Sequence, residues 1–287
     1  MTSTTDLPLA GKVALVTGAG SITDKRTSMG PVMAMALHAA GAKVAGMDTN
    51  AEGLDRLAKQ LNSDRFLAVH GDVSSPSSCG VTVAEVADKL GAPDILVNLA
   101  GISQVIAAPT PDKRQFKFWE ADPAAWQLIQ AVHSTGPFLL ARLVMPHMLE
   151  TGWGRIINIS SSFETMLDPY RSAYGPSKAA LEASSAIWAK EVVGTGVSVN
   201  CLLPGGMVAS NSPGLRDAPA EKMLSPTIMA APIVWMASPA SDGVNGRRFV
   251  ARLWKPELSG EENAKLQTYT LGWTGVGPGR TEAVPGF

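Results

Sequence analysis

The sequence predicts a doubly wound α/β fold: a parallel sheet of about seven strands, covered by helices on both faces, in a single domain over residues 1–287. Three observations carry this. Short β-branched runs alternate with longer helical stretches along the chain, and such alternation folds through right-handed crossovers into a parallel sheet. The 287 residues suffice for one large core. No internal repeat and no linker-like stretch divides them.

The elements follow in order. Val13 to Val16 reads as the first strand, followed by a helix over about 31–40. Ala42 to Asp48 is the second strand, and a polar helix covers 52–61. Phe66 to Val69 precedes a helix around 81–90, and Asp94 to Asn98 follows. A long helical stretch over about 123–149 leads into Gly154 to Ile159. Another, over 172–193, leads into Val197 to Cys201. A helix over 227–237 and a strand from Arg248 to Ala251 close the pattern. Residues 204–225 and the tail from Lys255 to Phe287 read as irregular, and long loops in a compact domain are often functional.

Composition excludes several classes. Charges nearly cancel, 24 Lys and Arg against 25 Asp and Glu, and no basic run suggests nucleic-acid binding. With 45% hydrophobic and 17% charged residues, the chain reads as folded rather than disordered. Cys79 and Cys201 sit in no disulfide framework, which favours a reducing compartment. Residues 1–6 lack a signal-peptide pattern, and no segment is expected to approach the roughly 20 apolar residues of a membrane span. The expectation is a soluble, cytoplasmic protein without a metal ion.

The first strand runs into Thr17-Gly-Ala-Gly-Ser-Ile-Thr-Asp-Lys-Arg-Thr-Ser-Met-Gly30. A glycine turn between strand and helix is where a diphosphate lies against free helix N–H groups. Gly18 permits the turn, and Gly30 lets the helix pack close to the strand. Asp48 ends the second strand, where a carboxylate accepts hydrogen bonds from ribose hydroxyls and repels a 2′-phosphate, favouring NAD over NADP. Lys25 and Arg26 are either solvated loop charges or readers of a phosphate.

Tyr174-Gly-Pro-Ser-Lys178 is the sharpest chemical signal. Positions four apart share a helix face. A neighbouring ammonium is expected to pull a phenol below its usual pKa of about 10, making Tyr174 a general acid/base for a carbonyl/alcohol pair. Ser161 lies thirteen residues earlier, in Asn158-Ile-Ser-Ser-Ser162 at a strand end. Its hydroxyl could hold the substrate oxygen, with Ser160 and Ser162 as competitors on spacing alone.

These residues, with Asp72-Val73, Asn98-Leu-Ala-Gly101 and Pro204-Gly205 in order, resemble the short-chain dehydrogenase/reductases over about residues 8–252. The resemblance implies a Rossmann-type sheet, a nicotinamide cofactor (NAD(H) preferred, NADP(H) possible) and a small carbonyl or alcohol substrate. It also implies a homodimer or homotetramer formed through the two long helices. It places the cofactor at Gly18, Gly20, Ser21, Ser28, Met29, Gly30, Asp48, Asp72, Val73, Asn98, Ala100, Gly101, Tyr174, Lys178, Pro204 and Gly205. Asp72 and Val73 would contact adenine, and Asn98 with Gly101 would shape the adenosine side. Tyr174 would carry the proton, Lys178 would hold the nicotinamide ribose, and Ser161 would orient and polarise the carbonyl.

Three departures stand out. Leu99 replaces a second Asn of the family pattern. His133 stands where an Asn usually supports a proton relay to the active-site Lys, and it reads either as a catalytic substitute or as a packed residue. Gly30 comes twelve positions after Gly18 rather than six, so residues 21–28 are expected to bulge over the diphosphate. Met207, Val208, Met223 and Leu224 would line an apolar substrate loop or pack it down. Phe163, Met166 and Trp153 are further pocket or core candidates. The loop 102–118 and the tail with Trp254 and Trp273 would cap the pocket or meet another subunit.

Overall fold

The computed structural model describes residues 7–110, 113, 115–212 and 220–272. Its sheet has seven strands in the order β3-β2-β1-β4-β5-β6-β7, every pair parallel. They are β1 (Val13–Thr17), β2 (Lys43–Asp48), β3 (Phe66–His70), β4 (Ile95–Asn98), β5 (Gly154–Ile159), β6 (Val197–Leu203) and β7 (Arg248–Val250). All seven expected strands are present.

Both faces of the sheet are covered, which is why the central β1 and β4 are near-continuous apolar runs. Ala14 and Val16 of β1 point into one core with α1 (Met29–Ala39), α2 (Ala51–Leu61) and α8 (Ala230–Ala237). Val13 and Leu15 point into the other, with α3 (Pro76–Lys89), α5 (Gly136–Thr151) and α7 (Tyr174–Glu191). Each fully buried Leu, Ile or Met there contributes roughly 1.5–3 kcal/mol.

The long helix expected over 123–149 is three pieces: α4 (Pro123–Gln130), a π-helical turn Ala131–Thr135 and α5. Contrary to the expectation, Pro123–Thr151 is long and apolar enough to cross a membrane by length and composition. Buried Leu140, Ala141, Val144 and Met148 place its inner face in the sheet-side core instead.

Three further corrections concern elements. The helix expected at 81–90 begins at Pro76, where Ser75 caps Ser78 N and proline occupies the first turn without losing a hydrogen bond. A short helix, α6 (Phe163–Leu167), follows β5 and starts at the Ser162 cap. The tail contains α9 (Gly260–Leu266), opened by a Ser259/Glu262 capping box. Residues 213–219 of the substrate loop, and Trp273 with the rest of the tail, lie outside the described residues.

Because all strands are parallel, the ends of β1, β4, β5 and β6 share one edge. Strand order reverses between β1 and β4, which opens the crevice where ligands bind in such sheets.

Candidate active site

At the end of β1, Gly18 adopts φ +74° and donates from its N–H to Met47 O at 2.8 Å. The Thr17 hydroxyl accepts from Leu99 N and Ala100 N, both at 3.0 Å, joining the ends of β1 and β4. A Cβ on Gly30 would lie 2.0 Å from Gly18 O, so no larger residue fits. Ser28 takes the N-cap position of α1 but makes no side-chain capping bond. The uncapped helix end beside a close glycine turn is a cradle suited to a diphosphate, so the residues present fit a dinucleotide.

Asp48 braces this turn. Its Oδ2 accepts from Gly20 N at 2.8 Å and its Oδ1 from Asn50 N at 2.9 Å, while Asn50 Nδ2 donates to Gly20 O at 2.8 Å. The expected insertion is a small hairpin: Ile22 bridges Thr27, and Thr23 N donates to Arg26 O at 2.9 Å. Lys25 is exposed at its tip. Arg26 Nη1 donates to Ser210 O at 3.0 Å.

Three adenosine-side candidates make contacts within the protein. The Asn98 side chain is buried and donates to Asn158 Oδ1 at 2.8 Å, and Asn158 donates to Ser185 Oγ at 2.7 Å. It ties β4 to β5 and α7 rather than facing the crevice. The Asp72 carboxylate accepts from Ser74 N and Oγ at 2.8 and 2.7 Å. The Val73 side chain is buried, with its Cβ 2.9 Å from where a Cβ on Gly136 would stand. Gly101 is tight against the His133 ring, and Gly205 takes φ +84° beside Val250.

Geometry separates the three serines after β5. Ser160 Oγ donates to buried Glu182 Oε2 at 2.7 Å. Ser162 Oγ accepts from Thr165 N at 3.1 Å, capping α6. Ser161 is the one whose hydroxyl acts on the Tyr174 phenol, opposing the rise in its pKa. Lys178, 6% exposed, donates to Ile159 O at 2.8 Å, and burial pulls its pKa down to about 8. Tyr174, Lys178 and Ser161 lie together at the carboxyl edge of the sheet.

The expected pKa of Tyr174 is overturned. Burial raises it above the ordinary phenol value, with Ser161 and Arg171 opposing more weakly. Lys178, whose ammonium donates to Ile159 O, is not among the groups that shift it.

His133 is buried within the π-helical turn. Ile102 N donates to its Nε2 at 2.9 Å, so the ring proton is on Nδ1 and points to Ser177 Oγ at 2.9 Å. Ser177 in turn donates to Tyr174 O at 2.7 Å. Burial first, then the Lys178 charge, hold the imidazole well below its usual pKa. Both ring nitrogens are committed, and the ring stands edge-on to Tyr174 at 5.5 Å. The ring thus links Ile102 to the first turn of α7 through Ser177.

Trp153 precedes β5, so it lies at the amino edge, away from the crevice, under Lys12 and Arg155. Trp254 packs on Trp235 and Phe249. In the substrate loop Val208 is buried and bridges Leu224, while Met207 is exposed.

Sequence reasoning missed Arg248, Glu182 and Asn211. Arg248 Nε lies 3.2 Å from Glu182 Oε1, its Nη2 donates to Ser161 O, and its guanidinium stacks on Phe163 at 4.1 Å. Only a charged residue inside an otherwise apolar strand hinted at this.

Residues 12–219 match the family model of the short chain dehydrogenases. The chain belongs to the short-chain dehydrogenase family. This short-chain dehydrogenase is 35% identical over 258 residues to D-threitol dehydrogenase of Mycolicibacterium smegmatis, spanning 85% of the chain and 93% of that relative. It is 31% identical over 251 residues to galactitol 2-dehydrogenase (L-tagatose-forming) of Cereibacter sphaeroides, spanning 83% and 92%. Among solved structures it is similar to 3-ketoacyl-(acyl-carrier-protein) reductase from Brucella melitensis complexed with NADH. The TM-score is 0.71 and the identity 27%, over 84% of this chain and 96% of that one. The chain is an oxidoreductase acting on alcohols or ketones with a nicotinamide cofactor.

Proposed function

We propose that this short-chain dehydrogenase interconverts a secondary alcohol and its ketone with NAD(H), Tyr174 serving as general acid/base. The observation that carries the reading is the convergence of Ser161, Tyr174 and the buried Lys178 at the carboxyl edge of the sheet, with the Ser161 hydroxyl acting on the phenol. A bound nicotinamide supplies or takes the hydride. Burial keeps the Tyr174 phenol protonated at neutral pH, so it can give its proton to the ketone oxygen while Ser161 holds that oxygen. In oxidation Tyr174 takes the alcohol proton. Lys178 would hold the nicotinamide ribose, the N-terminus of α1 would take the diphosphate, and the backbone of 72–73 and 98–101 would face the adenosine.

The preference for NAD(H) over NADP(H) rests on Asp48, whose carboxylate repels a 2′-phosphate. Two basic side chains nearby are already engaged, Arg26 with Ser210 O and Arg56 with Asp24 and Glu52, while Lys25 is exposed at the hairpin tip. The unit is a single domain. Exposed Trp126, Phe138, Leu149 and Ile187 on α4, α5 and α7 support a homodimer or homotetramer. The free thiols of Cys79 and Cys201 support a cytoplasmic location. The names of the two relatives support polyols as a first substrate class.

The test is a panel of polyols and apolar ketones with NADH absorbance, comparing the wild type with Tyr174→Phe. The variant is expected to lose about 10²–10⁴ in kcat while binding NADH as before. Wild-type turnover by the variant would remove Tyr174 from the chemistry. A strong preference for NADPH would overturn the reading of Asp48.

A further inference from the structure

The six extra residues of the glycine-rich turn meet a loop from far along the chain, chiefly through Asn211. Asn211, in the loop after β6, reaches the hairpin with its whole amide. Its Nδ2 donates to Arg26 O at 2.9 Å and Ser21 O at 3.1 Å. Its Oδ1 accepts from Thr23 Oγ1 at 3.3 Å, and its backbone N–H donates to Ser28 Oγ at 3.1 Å. Ser28 Oγ also accepts from Ser21 Oγ at 2.9 Å. The neighbouring carbonyl of Ser210 takes the Arg26 guanidinium.

These bonds join two parts of the crevice. Ser28 sits at the N-cap of α1, beside the proposed diphosphate cradle. The loop bearing Asn211 continues from Pro204, Gly205 and Met207, on the substrate side. A carboxamide suits this junction because it presents two donors to two carbonyls and one acceptor to a hydroxyl. An isosteric carboxylate would face those carbonyls with like partial charges.

We propose that Asn211 is a positioning residue for nucleotide binding, latching the loop after β6 to the inserted hairpin so that both sides of the cofactor crevice are fixed before the nucleotide arrives. The inference rests on the reading that the diphosphate lies at the N-terminus of α1. Without the latch, only a fraction of molecules holds the binding-ready arrangement, and the apparent dissociation constant rises by the inverse of that fraction.

The experiment compares full-length wild type, Asn211→Ala, Asn211→Asp and the milder Thr23→Val. Hydrogen exchange without nucleotide is expected to quicken at the amides of residues 21–28 and 207–211 and to stay unchanged in β4 and β5. Titration of NADH fluorescence is expected to show a dissociation constant raised about fivefold or more for Asn211→Ala, from hydrogen bonds lost. Asn211→Asp should be worse and Thr23→Val smaller. The value of kcat at saturating cofactor and substrate, and its pH profile, should hold within about twofold. Unchanged exchange, or quickened exchange with an unchanged dissociation constant, overturns the latch. Wild type that binds no nicotinamide nucleotide would overturn the reading of the crevice instead, while the exchange data still judge the contact itself.

Discussion

Removing the Glu182 carboxylate should damage this protein more than any other single change in α7 outside the Tyr174–Lys178 pair. Glu182 is fully buried and Arg248 is 8% exposed. Glu182→Ala strands the Arg248 guanidinium in the interior with Phe163 and the Ser161 carbonyl as its remaining partners. Breaking one side of a buried pair costs about 3–5 kcal/mol, because an uncompensated charge is left behind. Unfolding entropy near 2.1 cal/mol/K per residue over 287 residues gives roughly 0.6 kcal/mol/K. The expected fall in Tm is therefore about 5–8 °C.

The double variant Glu182→Leu/Arg248→Met separates stability from function. Replacing both charges with apolar groups is often neutral or stabilising, so Tm should return to near the wild-type value. The Ser161 carbonyl, however, loses the Arg248 donor, and Ser160 loses its Glu182 acceptor. Turnover should then stay depressed, by about tenfold for a loss near 1.4 kcal/mol in transition-state positioning. Thermal unfolding by circular dichroism and kcat at saturating substrates read the two effects independently. A fall in Tm below about 2 °C for Glu182→Ala would refute the reasoning on charge burial. Full turnover in the double variant would refute the positioning role of Arg248.

Two further outcomes follow from the site. His133→Leu leaves Ile102 N–H without its acceptor and should cost about 1–3 kcal/mol in denaturant unfolding. The folded-state pKa of His133 is depressed, so its contribution is full above about pH 6.5 and is lost as pH falls, when the unfolded chain takes up the proton. The variant should therefore show a flatter loss of stability between neutral and mildly acidic pH, and an equally steep loss would contradict it. Gly30→Ala drives a Cβ to 2.0 Å from Gly18 O and should weaken NADH binding by more than about tenfold, roughly 1.4 kcal/mol, in the same fluorescence titration, whereas unaltered binding would mean the turn yields.

The sheet was legible because its information is local. The central strands β1 and β4 are short apolar runs whose two faces both meet helices, so the pattern needs no knowledge of the partner. α9 was also written locally, in Ser259 and Glu262, but the glycines and prolines of the tail masked it. The spacing from Ser161 to Tyr174 to Lys178 survived folding for the same reason, since one strand end and one helix turn place all three. Their ionisation did not survive. Tyr174 moves up and Lys178 down because burial acts on both, and the Ile159 carbonyl that holds the ammonium belongs to a neighbouring strand.

The same distinction explains why the inserted turn could be noticed but not interpreted. Its length and its unusual glycine spacing are properties of residues 18–30 alone. What it does depends on Asn211, whose partners lie 183–190 positions away in sequence. No propensity or periodicity marks an asparagine for that contact. The glycines keep their places at the two ends because backbone sterics demand it: Gly18 needs its positive φ and Gly30 its missing Cβ. Between those fixed points the chain was free to lengthen without disturbing the fold. Added residues at such a place bind something only if a distant loop meets them, and here the loop after β6 does.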